Sequence, residues 1–288
     1  MAITRKQART LRLGGIYVAS LAMAFILVAP FVWMVISSIS QQKELTAVPI
    51  HWLPEHPTLE NYVALFSGSA SSIATSEFGR SLLNSTVVAL VTTGFCLLVG
   101  VPSSYAFTRL PFRGRRSLFL LIVFAQMLPS IALIIPMYVL MSKIELVNTV
   151  PGLVVVYSTF TLPFVVWVMT GYFQTVPKEL EEAGMIDGAG RVGVLVRIVL
   201  PLALPGLAAA TIFSLLNAWS EFFLAVVFTS TEVSKTMPVV ISEFAGRFSI
   251  DYGAMNAAAV LGSVPPILFA LLLQKYIVSG LTAGAVKG

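Results

Sequence analysis

Charge is what this sequence has least of. Asp, Glu, Lys and Arg make up only 11% of its 288 residues, where a soluble domain carries about a quarter. A single cysteine, Cys96, excludes an intrachain disulfide and, lying in an apolar run, says little about redox compartment. No His/Cys spacing suits a metal, so no metal site is expected. There is no Gly-x-Ser-x-Gly elbow and no Gly-x-x-x-x-Gly-Lys-Ser/Thr phosphate loop. No catalytic residue is assigned. If the protein's work draws on nucleotide energy, a partner must bind the nucleotide.

Hydrophobic residues fill the space that charge leaves. They reach 57%, and mean hydropathy is +0.89, which makes this an integral membrane protein. Residues 13–42, 81–108, 117–142, 146–177, 198–220 and 252–274 hold no Asp, Glu, Lys or Arg. Each interval exceeds the roughly 20 residues that a helix needs to cross the hydrocarbon. Strand-length alternation is absent, so the spans are helices. The expected fold is an all-α polytopic membrane protein with six transmembrane helices, at about 14–36, 83–107, 118–140, 152–173, 207–229 and 256–278. The apolar stretch of the first is too long for a signal peptide's h-region of about 7–15 residues, and no small-residue cleavage site follows cleanly, so it is expected to be retained.

Lys and Arg set the orientation. Arg5, Lys6, Arg9 and Arg12, then Arg109, Arg113, Arg115 and Arg116, then Lys178, Arg191, Arg197 and Lys287 lie on one side. Lys43, Arg80, Lys143, Lys235 and Arg247 lie on the other. The excess places both termini and the 174–206 loop in the cytoplasm. The same placement, at span ends, turns the net charge of +5 away from nucleic acid. The outer loop 37–80, with Pro49, Pro54 and Pro57, is expected to pack as short helices and turns.

The 174–206 loop carries a polar island between apolar runs. Pro177 suits a first helical turn. Lys178 to Ile186 then reads as two turns, with Leu180, Ala183 and Gly184 on one face and Glu179, Glu181 and Glu182 near its dipole-positive start. Asp187-Gly188 reads as a stop. A second helix is expected from near Ala189 through Arg191 and Arg197, with Pro201 and Pro205 marking entry to the next span. The small residues Ala183, Gly184, Gly188 and Ala189 let another backbone approach closely. A docking site and a solvated connector are both open readings.

Within the membrane, Glu221 is the one ionisable side chain well inside a predicted helix, and such a group must face protein or water. Asn217 and Ser214 are expected to share its face. With Asn84 and Gln126 they form a candidate translocation path, against the plainer reading that all five are interhelical glue. Pro129, Pro136 and Pro163 would kink spans three and four.

Glu182-Ala183-Gly184, then Gly188, then Ile198-x-Leu200-Pro201 resembles the EAA loop of ABC importer permeases, with Gly184 in place of the second alanine. Glycine lowers helix propensity by up to about 1 kcal/mol relative to alanine but keeps the small footprint. The layout and the ending Gly280-Leu281-Thr282-Ala283-Gly284-Ala285-Val286-Lys287-Gly288 resemble the carbohydrate, maltose-permease-like branch, and Asn217 to Ala225 resembles its fifth-span motif. The resemblance implies a type I ABC importer permease architecture. Residues 1–13 would be a cytoplasmic N-terminal segment, 14–279 the permease domain (core about 80–279) and 280–288 a cytoplasmic tail.

The resemblance also implies roles. Glu182, Ala183, Gly184, Asp187, Gly188, Ala189, Arg191, Ile198, Leu200 and Pro201 would couple to an ATPase, and Leu281, Thr282, Ala283, Gly284 and Lys287 would contact it. Implied partners are a second homologous permease, two ABC ATPase subunits that hold ATP and Mg, and an extracytoplasmic solute-binding protein met by the 230–255 loop with Phe244, Arg247, Phe248 and Tyr252. The chain itself would hold no cofactor. The cargo would be a sugar, and the location a bacterial or archaeal plasma membrane. Two rivals stay open: another polar solute such as a glycerol phosphodiester, and an ion-coupled secondary transporter with Glu221 as its proton site.

Overall fold

Without water to bond them, backbone amides in apolar runs must bond each other, and helices do this within one segment. This computed structural model describes residues 5–67, 73–246 and 250–285. In chain order the helices are α1 (Arg5–Ser38), α2 (Gln42–Leu45), α3 (Glu60–Ser67), α4 (Ile73–Arg109), α5 (Arg115–Ala125), α6 (Ser130–Lys143) and α7 (Val150–Thr175). There follow α8 (Lys178–Ile186), α9 (Arg191–Val194), a π turn (Leu195–Val199), α10 (Leu200–Leu202), α11 (Leu204–Ser220), α12 (Phe223–Phe228), α13 (Met237–Glu243) and α14 (Tyr252–Ala285). Among the described residues the only β pairing is one isolated bridge, Ala245 to Ile250.

Among the described residues four continuous helices are long and apolar enough to cross a membrane: Leu13–Ser38, Glu77–Arg109, Val150–Thr175 and Tyr252–Lys275. Two more spans are bent pairs. Arg115–Ala125 and Ser130–Lys143 meet at 99°, and Arg191–Leu202 and Leu204–Ser220 at 83°. Six spans are present, as expected, if each bent pair counts as one; the first bend falls in the span read at 118–140, where a kink was expected, and the second, at Ala203, falls ahead of the span read at 207–229.

The breaks have local causes. Pro129 has no N–H to continue the ladder; it sits at the N-cap of α6 with ψ of 124°. The amides of Gln126, Met127 and Leu128 close α5 with tight bonds to the carbonyls three residues back. Pro136 and Pro163, also expected to kink their spans, lie inside continuous helices. The second bend lies at Ala203, between Leu202 and Leu204; a further break follows where α11 stops at Ser220 and Glu221 is extended with ψ of 117°. The tail boundary expected at 280 is not a helix end, because α14 runs on to Ala285.

Two compact units make up the chain. In the first, residues 1–76 and 243–261, short helices follow α1 as expected for the 37–80 loop. Asn61 Nδ2 donates to the carbonyls of Ser38 (2.9 Å) and Ser40 (3.0 Å), closing the turn after α1. Gln42 Nε2 donates to the Ile250 carbonyl (2.6 Å), and its Oε1 accepts from the Tyr252 amide (2.9 Å), which straps α2 to the start of α14.

The second unit, residues 77–242 and 262–288, is packed around α7, whose buried residues run from Gly152 to Phe173. One core cluster joins Val88 of α4, Val156 and Tyr157 of α7, Trp219 and Phe228. The other joins Cys96 and Tyr105 of α4 and Val165, Met169 and Phe173 of α7 to Val194, Val199 and Ala203. This second cluster fixes the loop that follows α7. Gly206 makes the close crossing possible, since a Cβ there would lie 2.2 Å from the Tyr172 ring.

Candidate functional site

The loop after α7 begins where α7's last carbonyls need partners. Arg109, the final residue of α4, supplies them: its Nη2 donates to the carbonyls of Phe173 (2.8 Å) and Val176 (2.6 Å). Its Nε donates to Glu181 Oε1 in an ion pair whose side chains are 9% and 5% exposed. Tyr105, one turn earlier on α4, donates its hydroxyl to Glu181 Oε2 at 3.0 Å. A guanidinium at a helix C-terminus and a carboxylate in a helix's first turn both oppose the dipoles they meet.

The helix α8 has the expected bounds, with Pro177 as its N-cap one residue earlier than read from the sequence. It ends as expected: Gly188 has φ of +86°, the Ala189 amide donates to the Gly184 carbonyl (3.0 Å) and the Gly188 amide to that of Met185 (3.1 Å). These are the two bonds of a Schellman motif. The second helix starts at Arg191, two residues later than expected, and gives way to the π turn before Pro201. A proline at 201 offers no amide to the carbonyl of Arg197, which is where the regular ladder is interrupted.

Leu180, Ala183 and Gly184 share one face of α8 by spacing, as expected, but of the three only Gly184 is buried; the other buried residue of the helix is Glu181. The cause is the Arg109 pair, which turns a carboxylate inward. Gly184 lies under Ile198 and Val194. Glu182, Ala183, Asp187, Gly188, Arg191 and Pro201 are exposed, Ala189, Ile198 and Leu200 half-buried. Among the exposed apolar side chains of the loop are Leu180 (44% exposed), Met185 (44%), Ile186 (85%), Val192 (76%) and Val196 (55%). Apolar groups beside carboxylates on a rigid, polar loop form a surface suited to a soluble protein partner.

The membrane candidates do not assemble. Glu221 is not inside a helix; it stands at the α11–α12 break, its Oε1 accepting the Leu224 amide (3.0 Å) and its carbonyl the Tyr157 hydroxyl (3.4 Å). The carboxylate thus caps α12, a bond that helix continuation would preclude. Asn217 is exposed and Ser214 buried, and Ser214 Oγ has no hydrogen-bond partner among the described residues. Gln126 donates to the Phe160 carbonyl (2.8 Å). Asn84 donates to the carbonyls of Val233 (3.2 Å) and Lys235 (2.9 Å). Both act as glue between segments.

Sequence reasoning missed the partners that hold these segments. Besides Arg109 and Tyr105, Asn148 (φ +59°) accepts from the amides of Ser230 (2.9 Å) and Thr231 (3.0 Å) and the Ser234 hydroxyl (2.8 Å). Lys235 donates to Glu77 Oε2 at 2.8 Å in a second buried pair. The one available signal was position: Arg109 and Lys235 each border an apolar run. Phe244 is buried and Tyr252 is 38% exposed; Arg247 and Phe248 lie outside the described residues. Leu281, Thr282, Ala283 and Gly284 have helical backbone, but their side chains, and Lys287 altogether, lie outside the described residues. Among the described residues no three His, Cys, Asp or Glu side chains converge on a metal position.

Residues 96–283 match the family model described as "binding-protein-dependent transport system inner membrane component". The trehalose/maltose transport system permease protein of Thermococcus litoralis is 36% identical over 272 residues, covering 94% of this chain and 95% of that protein. The sulfoquinovosyl glycerol transport system permease protein of Agrobacterium fabrum is 36% identical over 259 residues, 90% and 88%. Among solved structures, a chain of a bacterial ABC transporter involved in the import of the acidic polysaccharide alginate aligns with a TM-score of 0.78 over 96% of this chain and 99% of that one. Its 22% identity makes it a likeness of fold.

Proposed function

The chain belongs to the family of binding-protein-dependent transport system inner membrane components, and from that membership we propose that it is a permease subunit of an ATP-driven sugar importer. One observation carries the mechanism: the outward surface of α8 and α9, with Ile186 and Val192 exposed beside Glu182 and Asp187, on a loop whose other face is buried in the bundle. That surface is fitted to receive an ATPase subunit. Since this chain has no phosphate loop, ATP and Mg would sit in two such ATPases, and this chain would do no covalent chemistry.

ATPase closure would push the loop, and the loop would tilt the helices against a second, related permease so that the path alternates in access. The sugar assignment is supported by relatives named for trehalose and maltose and for sulfoquinovosyl glycerol. The excess of Lys and Arg supports a loop and termini on the cytoplasmic side, in a bacterial or archaeal plasma membrane. An extracytoplasmic binding protein would deliver the sugar to the outer face, where the 230–255 loop is the nearest candidate contact.

The test is reconstitution in vesicles with the companion permease, ATPases and binding protein. The reading expects uptake of a sugar such as trehalose or maltose that requires both ATP and the binding protein. Uptake by this chain alone, or uptake driven by a proton gradient without ATP, would overturn it.

A further inference from the structure

Only two residues of α8 are buried, Glu181 and Gly184. Glycine has no side chain, so the one buried side chain of α8 is that of Glu181. Its partners come from elsewhere: Arg109 and Tyr105 at the end of α4. The same guanidinium reaches the carbonyls of Phe173 and Val176 at the end of α7. The end of α7 and the start of α8, adjacent in the chain, therefore meet the distant end of α4 on one cation.

We propose that Arg109 and Tyr105 are positioning residues for the coupling surface, acting through Glu181 so that the ends of α4 and α7 and the helix α8 move as one body; this rests on the coupling reading above. Glu181 points inward and its neighbour Glu182 outward. In a helix, fixing one side chain fixes the direction of the next, about 100° round the axis. The grip on Glu181 therefore aims the exposed Ile186 at the partner. A cleft of about 260 Å³ adjoins the pair, lined by Leu110, Lys178, Glu182, Met185 and Arg191 as well as by the pair and Tyr105. Released from Arg109, α8 has room to tilt into it, and a push on the loop would be absorbed there instead of reaching α4. The guanidinium suits this role because its planar fork serves a carboxylate and two carbonyls at once, which a lysine ammonium on a single atom does not.

The experiment uses the whole importer in vesicles, with Arg109→Met, Arg109→Lys and Tyr105→Phe. Two quantities are read at matched amounts of assembled complex: sugar moved per ATP, and the distance distribution between spin labels at Arg116 and Gly190. The expected series is graded. Sugar per ATP falls about fivefold or more in Arg109→Met, the lower range of measured couplings, and less in Arg109→Lys and Tyr105→Phe. The label distribution broadens in the same order, which a role in folding alone would not produce once complexes are matched. If Arg109→Met does not assemble, the two milder variants decide. Unchanged stoichiometry and an unchanged distribution in Tyr105→Phe and Arg109→Lys overturn the proposal. Failure of the underlying reading is distinguishable, because it would appear as wild-type uptake indifferent to ATP.

Discussion

Ile198 lies across Gly184, so that a β-carbon at 184 would come within 2.3 Å of its Cδ1. The clash is with the far end of a flexible side chain. In Gly184→Ala, Ile198 leaves its rotamer at about 0.5–1.5 kcal/mol, offset by a helix-propensity gain of up to about 1 kcal/mol. The variant is expected to unfold within about 3 °C of wild type and to transport normally. Gly184→Leu, which cannot be accommodated by one rotamer, should lose the loop's packing. Thermal unfolding of the purified chain in detergent measures both.

Gly188 is required for a different reason. A Cβ there would meet nothing within 4 Å, but φ is +86°, and an L-residue in the left-handed region is strained by about 1–2 kcal/mol. Asparagine tolerates that region and valine does not. Gly188→Asn should keep α8 intact, while Gly188→Val should lower the protection of its amides about tenfold in hydrogen exchange. Equal protection in both would mean that the Schellman ending does not hold the helix.

Glu221 distinguishes a cap from a proton site. Glutamine keeps an oxygen for the Leu224 amide, so Glu221→Gln should leave uptake within about twofold of wild type. Glu221→Ala loses the cap and about 0.5–2 kcal/mol of local stability. Loss of transport in the glutamine variant, with normal unfolding, would instead return the carboxylate to the path.

Asn148, just before α7, is the counterpart of Arg109 at the other end of that helix. Its Oδ1 gathers the amides of Ser230 and Thr231 and the Ser234 hydroxyl. Each such bond contributes about 0.5–1.5 kcal/mol net. Asn148→Gly tolerates the positive φ and removes only the side chain, so its loss of stability, expected at about 1–3 kcal/mol, reports the bonds themselves. Protease cleavage within 230–236 should rise in step. Unaltered cleavage would show that other contacts hold that segment.

Elements specified by neighbouring residues were legible in the sequence. The charge-free run before Pro177 and the Asp187-Gly188 stop place α7 and α8 within a residue or two, because capping and helix propagation are local. Pro129 announced a bend, though not one of 99°. Elements decided by distant contacts were hidden. Nothing near Glu221 says that Tyr157 and the start of α12 will end α11 there. The burial of Glu181 depends on Arg109, 72 positions earlier, so periodicity within α8 could not reveal which side chain turns inward.

The central claim is that the outward surface of α8 and α9 receives the ATPase, and Ile186 tests it most directly. It is 85% exposed, so Ile186→Asp should leave the chain inserted and its unfolding unchanged. The measurement is co-purification of the ATPase subunits with this variant, together with ATP-driven uptake. The account predicts that both fall at least tenfold, as when an apolar anchor at an interface is replaced by a charge. Full ATPase recovery and normal uptake in Ile186→Asp would contradict it.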